Sequence, residues 1–354
     1  MSFEVESDAQ LAAEVDPRAR ALPLNGVARG GSQAVPYRLP PNPWEFLLAA
    51  GRATAAIFSP VRQLFDASSH WAIVRWFWAL DWSSPEVRLS AESKQIRNHH
   101  RTAFSEALGL AAALMVTEHL AGDALPPGAW RGGPMLVDVD SLVSSGVRPD
   151  LLILFGGPTL TTYVIEAKGN RRGRGRSIEQ LRRGVDQVLA APGPARRLVV
   201  GAAAPDPAPG PGFSVHAISV PGPEASAPGR LLGEAEERGL ELERARLASF
   251  AGLSGTDWDG PVFEMPALGL EVVGQRLTLR GERLNAELTM GVDREIVRRL
   301  GEVRSLTELA AMRSETNRGS DQRTPPDAEG YSLAEAGRAA AVAHDGCALS
   351  VSLR

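Results

Sequence analysis

Apolar positions recur at helical spacing along several stretches of the chain. From Ser90 to Ala121, Phe104, Leu108, Ala111 and Met115 fall three or four apart in one stripe, which Gly122 and Pro126-Pro127 bring to a stop. The pattern returns from Ser177 to Ala191 through Ile178, Leu181, Val185, Val188 and Leu189, with Pro192 and Pro194 at its end. Between these helices lie three short apolar runs of strand character, Met135–Val139, Leu151–Phe155 and Thr161–Ile165, with Gly156-Gly157-Pro158 as the turn between the last two. Two further strands, Arg197–Ala203 and Phe213–Val220, flank a Pro/Gly loop from Pro205 to Gly212. The predicted order is helix, three strands, helix, two strands, an α/β core of modest size.

The pattern changes on either side of this core. Residues 1–45, with their acids, the Gly30-Gly31-Ser32 break and prolines at 36, 40, 41 and 43, read as a flexible arm. Residues 46–89 form a helical extension rich in aromatics (Trp71, Trp76, Phe77, Trp78, Trp82), either packed on the core or offered to a partner or second copy. The core occupies 90–222. Residues 223–283 read as a linker helix, strongest over Leu231–Phe250, and a connecting region; from Glu224 to Asp259 eight acids face four arginines. Residues 284–354 read as a small accessory domain of α+β type, with helices at Asp293–Leu300 and Ser305–Met312.

Composition narrows the classes. With 354 residues, 44% hydrophobic and 23% charged, the chain can bury a real core, which excludes wholesale disorder. A single cysteine, Cys347, excludes an internal disulfide framework and a multi-cysteine zinc site, and reads as buried and structural. The net charge of −4 advertises neither nucleic acid nor membrane, so any such partner must be read from local charge. The acidic start lacks an apolar signal region, and no apolar run approaches the roughly 18 residues of a membrane span. A cytoplasmic protein without a membrane partner is the expectation.

Chemistry concentrates in one place. Arg148-Pro149-Asp150 opens the second strand run, and Glu166-Ala167-Lys168 closes the third. Glu166 and Lys168, two apart, share a face of the sheet, and a hairpin brings Asp150, 16 residues before Glu166, to the same end. Two carboxylates at one sheet edge make a hard oxygen site suited to Mg²⁺ or Mn²⁺. A neighbouring lysine can orient or help deprotonate a water and offset phosphorane charge.

Asp150, Glu166 and Lys168, each at the end of an apolar strand, resemble the signature of PD-(D/E)XK, or restriction-endonuclease-like, nucleases, and the order of elements over about 90–220 resembles that superfamily's αβββαβ core. The resemblance implies Mg²⁺-dependent phosphodiester hydrolysis by an activated water, with DNA as the expected substrate. It places the metal on Asp150, Glu166 and the Ala167 carbonyl, with Lys168 as the catalytic ammonium. Restriction, anti-phage defence or mobile-element roles follow by fold analogy alone. The alternative is an inactive copy of the fold serving as a nucleic-acid-binding or assembly subunit.

Many members of that family add a helix-borne acid. Helical geometry puts Glu118 inside the stripe of Phe104, Ala111 and Met115, whereas the family's usual placement, early in the helix, matches Phe104-Ser105-Glu106. Glu106 is taken as the fourth catalytic residue, with Glu118 as its competitor.

From Gly169 to Arg197 eight arginines face Glu179 and Asp186. Directly after the lysine, Arg171, Arg172, Arg174 and Arg176 read as a phosphate clamp on a loop kept mobile by glycines, and Gln180 resembles a polar residue that family members place near the metal or backbone. Asn98-His99-His100 is read as helix surface. Near the carboxyl end, Ser305–Ala310, the polar Asn317–Thr324 and Gly330–Arg338 resemble the second helix, turn, wing and closing helix of winged-helix regulators.

Overall fold

Continuous burial marks the strands that carry the acids, and their pairing shows why. The computed structural model describes residues 3–24, 37–39, 43–58, 73, 76–81, 87–125, 132–142, 146–156, 160–191, 193–204, 212–222, 230–253, 258–280, 285–318 and 338–353. Strands β3 (Pro134–Asp138), β4 (Leu151–Phe155) and β5 (Thr161–Asn170) pair antiparallel in sequence, with Leu136 opposite Ile153 and Leu151 opposite Ile165. Helix α4 (Arg174–Leu189) carries the chain from β5 to β6 (Arg196–Ala203), which lies parallel to β5, and β7 (Ser214–Ser219) returns antiparallel. A parallel step needs such a crossover, and it covers the sheet face it spans. Before the first of these strands runs α3 (Asn98–Ala124). The order helix, three strands, helix, two strands is therefore observed, and the chain is of mixed α/β class.

The sheet is wider than the sequence predicts. Residues read as a flexible arm supply β1 (Phe3–Glu6), parallel to β7, and α1 (Ala9–Val15), which buries Leu11, Ala12 and Val15. Strand β2 (Tyr37–Leu39) adds the edge, giving the order β2-β1-β7-β6-β5-β4-β3. The arm is thus corrected for residues 3–24 and 37–39. Its four-residue strand finds its partner more than 200 positions away, a pairing that local pattern does not reveal.

Helix α2 (Pro43–Phe58) is likewise no outlying extension. Phe46 to Ala50, Ala53 and Ala55 are all buried, so the helix is covered nearly all round, as a central helix must be. In the aromatic segment Trp76 is buried against Phe104, with ring centroids 4.5 Å apart, and Trp78 is only partly exposed. Trp71 and Trp82 lie outside the described residues.

Helix α5 (Arg230–Ala251) follows, and then a second, five-stranded antiparallel sheet ordered β11-β12-β10-β9-β8. Its strands are β8 (Val262–Met265), β9 (Leu270–Arg280), β10 (Asn285–Asp293), β11 (Arg338–Val342) and β12 (Cys347–Leu353). The connecting region at 223–283 is therefore corrected: it contains two strands. The signal was present, since Ala286, Leu288, Met290 and Val292 occupy every second position of β10 and are all buried. Two helices, α6 (Arg294–Leu300) and α7 (Leu306–Arg318), precede β11. Arg338 opens a strand rather than closing a helix, and most of the turn and wing at 317–337 lies outside the described residues. No described helix is long and apolar enough to cross a membrane.

One core spans both sheets, running from Val5 to Val351. Through it passes a chain of buried charges. Asp345, in the β11–β12 turn, accepts from Arg52 of α2 at 2.9 Å and Arg246 of α5 at 2.8 Å. Glu243 accepts from Arg246 at 2.6 Å, from Arg313 of α7 at 2.7 Å and from the Leu136 backbone of β3 at 3.1 Å. Glu118 of α3 closes the set on Arg52 at 2.8 Å. Three guanidinium groups thus meet three carboxylates. Cys347 is fully buried, 3.7 Å from Arg246, and burial raises its thiol pKa.

Removing one member of such a set strands its partners in a dry interior, which costs about 3–5 kcal/mol. Asp345→Asn and Glu243→Gln are each expected to lower unfolding free energy by that amount, read as a drop in urea midpoint with the slope unchanged.

Candidate active site

Asp150 sits one residue before β4, where its backbone still joins the ladder. Its N–H donates to Ile165 O at 3.0 Å, and its carbonyl accepts from Val139 N at 3.2 Å. Anchored on both sides, the side chain reaches across to β5, where Oδ2 accepts from the Ala167 N–H at 2.8 Å. That amide lies between Glu166 and Lys168, so a single hydrogen bond fixes Asp150 to the other two residues. The expected same-face placement is found: the Lys168 ammonium lies against Glu166 Oε1.

Glu166 is fully buried, its charge met by the Lys168 ammonium and set close to that of Asp150. The cause lies in α4. A Cβ on Gly184 would meet Glu166 Cγ at 3.0 Å and Val199 Cγ1 at 2.5 Å, so the helix closes down onto this part of β5 only because that position is glycine. Glu166 and Gly169 differ in parity and face opposite sides of the sheet. On the Gly169 side, a Cβ would strike Ser105 O at 1.5 Å, and one on Gly109 would meet the Lys168 carbonyl carbon at 2.8 Å. This close approach sets the first turns of α3 against the end of β5.

Electrostatics reports the outcome. Burial, and then the Asp150 charge, push Glu166 up to about 8 against the pull of Lys168. Burial raises Asp150 as well, opposed by Lys168 and the Ala167 amide. Glu106 is raised by partial burial and by Asp150, and lowered by Lys168, so it shares their field. Glu118 is instead held by Arg52, in the buried charge chain. Asp150, Glu166 and Lys168 are therefore in contact, Glu106 is linked to them through its field alone, and Glu118 is held by Arg52. The sequence reading missed Asp138, a buried acid at the end of β3 that burial pushes up to about 6 and that also feels Asp150.

The arginines divide. Arg174 and Arg176 lie in the first turn of α4, which corrects their placement on a mobile loop. Arg174 is held by Glu6 at 2.6 Å and Glu14 at 3.0 Å, and Glu6 is drawn down to about 2 by its hydrogen bond to His216 and by Arg174. Gly169, expected to loosen the loop, is wedged on Ser105 in β5. Arg171, Arg172 and Arg176 line a groove of about 620 Å³ with Gln180, whose Nε2 donates to Gly169 O at 3.4 Å. Arg101, Thr102 and Ser105 of α3 line it too. Their sequence signal was weak, because a lone arginine on a helix face is ordinary.

No group of three or more His, Cys, Asp or Glu side chains arranged to hold a metal occurs among the described residues. A divalent cation held as Mg²⁺ usually is needs fewer, since one or two carboxylates and several waters suffice. Asp150 and Glu166 meet that requirement: they are hard oxygen donors close to each other, and Glu166 is fully buried.

Glu166 supplies a pH test. Unfolded, its carboxyl releases a proton near 4.5; folded, it holds it to about 8, so stability is full below the lower value and declines as pH rises through the upper. Thermal unfolding in EDTA across this window is expected to show that decline. Glu166→Gln should flatten it by up to roughly 1.4 kcal/mol per pH unit, and adding Mg²⁺ to the unaltered protein should oppose it.

Compared with protein-family models, with curated proteins and with solved structures, the chain matches none of them.

Proposed function

We propose that this chain is a Mg²⁺-dependent nuclease that hydrolyses phosphodiester bonds in DNA, built on a restriction-endonuclease-like core between Asn98 and Ser219. The observation that carries the reading is Glu166: a carboxylate fully buried beside Asp150, with the Lys168 ammonium against it at the strand end. The other fully buried carboxylates among the described residues, Glu243 and Asp345, are answered by arginine. A local violation of that rule marks a working site.

Asp150, Glu166 and the Ala167 carbonyl would hold the cation. Bound there, it would supply Lewis-acid stabilisation of charge on the phosphate and a lower pKa for the attacking water. The chain's own residues do the rest. Asp150 is kept in place by the Ala167 amide, so that position is preorganised. The Lys168 ammonium presents hydrogen-bond donors to the attacking water and to the negative charge that grows on the phosphoryl oxygens. Glu106, its proton affinity raised, is suited to take a proton from that water.

A second reading, a non-catalytic nucleic-acid-binding subunit on the same fold, is favoured by one observation: no third acidic, histidine or cysteine side chain completes the cation site among the described residues. It predicts binding without hydrolysis under any divalent metal.

Incubation of supercoiled plasmid with protein and Mg²⁺ separates the two. Nicked or linear product is expected, with Asp150→Ala and Lys168→Ala reduced by about two orders of magnitude or more. Activity at the unaltered level in those variants refutes the reading. Glu106→Ala should abolish cleavage while leaving the fold intact. Glu118→Ala should retain cleavage and lose stability, because it breaks the pair with Arg52.

A further inference from the structure

Two sizeable clefts flank the described surface, and they differ in charge. One, of about 560 Å³ beside α6, sets Arg294, Arg298 and Arg299 against Glu271, Glu295 and Glu315, and its arginines are already paired with those acids. The other is the groove between the first turns of α3 and the β5–α4 turn. It is lined by Arg101, Arg171, Arg172 and Arg176, with Thr102 and Ser105, and no acidic side chain lines it. From this groove we infer the substrate class of the site: it seats the phosphate backbone of double-stranded nucleic acid, without reading bases. The inference rests on the nuclease reading above and deepens it.

The groove adjoins the candidate active site along the chain. Gly169, one residue beyond Lys168, forms part of its wall, and Ser105, one residue before Glu106, forms another. Its cations are held at their roots. Arg101 Nε donates to Ile96 O at 2.9 Å, and its terminal amino groups have no other partner among the described residues. The Arg172 amide donates to Asn170 Oδ1 at 2.9 Å, and Asn170 Nδ2 donates to Ser177 Oγ at 2.8 Å, so the turn is fixed while the Arg172 side chain stays exposed. Arg176 is paired with Glu179 at 2.6 Å, so the fixed cations whose spare donors suit phosphate oxygens are Arg101 and Arg172.

What the lining lacks is as informative. No aromatic side chain is among its described residues. Proteins that hold single strands stack the bases on aromatic faces, which supply much of the affinity. Guanidinium and hydroxyl groups without such a platform engage phosphates alone, and a duplex, whose bases are already stacked, presents its phosphates without further cost. Arg174 takes no part, since Glu6 and Glu14 occupy its guanidinium.

The test measures binding of the full chain in EDTA, by fluorescence polarisation over a KCl series. The probes are two unrelated DNA duplexes of about 25 base pairs and the corresponding single strands. The duplexes are expected to bind alike, and the single strands about tenfold more weakly. Arg101→Ala with Arg172→Ala should reduce the slope of log affinity against log salt by about 1.8, at roughly 0.9 per phosphate contact. Arg172→Glu, at an exposed position outside the core, should weaken binding even if the α3 change disturbs folding. Arg174→Ala should leave the slope unchanged. An unchanged slope with Arg172→Glu, tighter binding of single strands, or strong preference between the duplexes overturns the inference. Plasmid cleavage by the same preparations keeps the two proposals apart. Cleavage with an unchanged slope sinks the groove alone, whereas the expected slope loss without cleavage in the unaltered protein sinks the nuclease and leaves the groove.

Discussion

The two sheets are fastened to each other by charges that cannot reach water. Asp345 and Glu243 join α2, α5, α7, β3 and the β11–β12 turn through Arg52, Arg246 and Arg313, all inside one apolar core. Such a set is a demanding way to hold a structure, because each ion has lost its hydration and depends on every partner being in place. It also dictates position. Glu243 accepts from the Leu136 backbone, so β3, and with it the β3–β4–β5 ladder that carries Asp150 and Glu166, is tied to α5.

Set beside that interior, Glu166 stands out. Both environments bury carboxylates fully, but in one they are matched by guanidinium donors, while in the other a second carboxylate lies nearby and a single lysine and the Ala167 amide offset the two. The cost falls on the strand end where a cation would relieve it. The packing that creates this condition is made by glycines: Gly184 lets α4 cover Glu166, and Gly109 with Gly169 lets α3 reach β5. The same contact that brings Glu106 into the field of Asp150 also forms one wall of the arginine groove, so acid placement and phosphate seat arise from one helix–strand approach.

Much of this was legible along the chain. The β4 run was marked from end to end by five consecutive apolar residues, and the spacing of Glu166 and Lys168 gave their common face. Other parts were not. Strand β1 is four residues long and acidic, and its partner β7 lies far along the chain. The second sheet carried an alternating pattern in β10 that the surrounding helical stretches masked. Helical geometry, which placed Glu118 in the apolar stripe of α3, was right about its inward position but silent about what it would meet there: Arg52, from a helix 66 residues earlier.

By itself, the sequence determined the succession of elements from α3 to β7 and the meeting of Asp150, Glu166 and Lys168 at the ends of two paired strands, because strand periodicity and a short hairpin are local constraints. Only the tertiary structure decided that Glu118 is taken by Arg52, that Arg174 is spent on Glu6 and Glu14, and that Arg101 and Arg172 line one groove. Those outcomes depend on which surfaces approach closely and which charges find partners far along the chain, and neither is written in the spacing of neighbours.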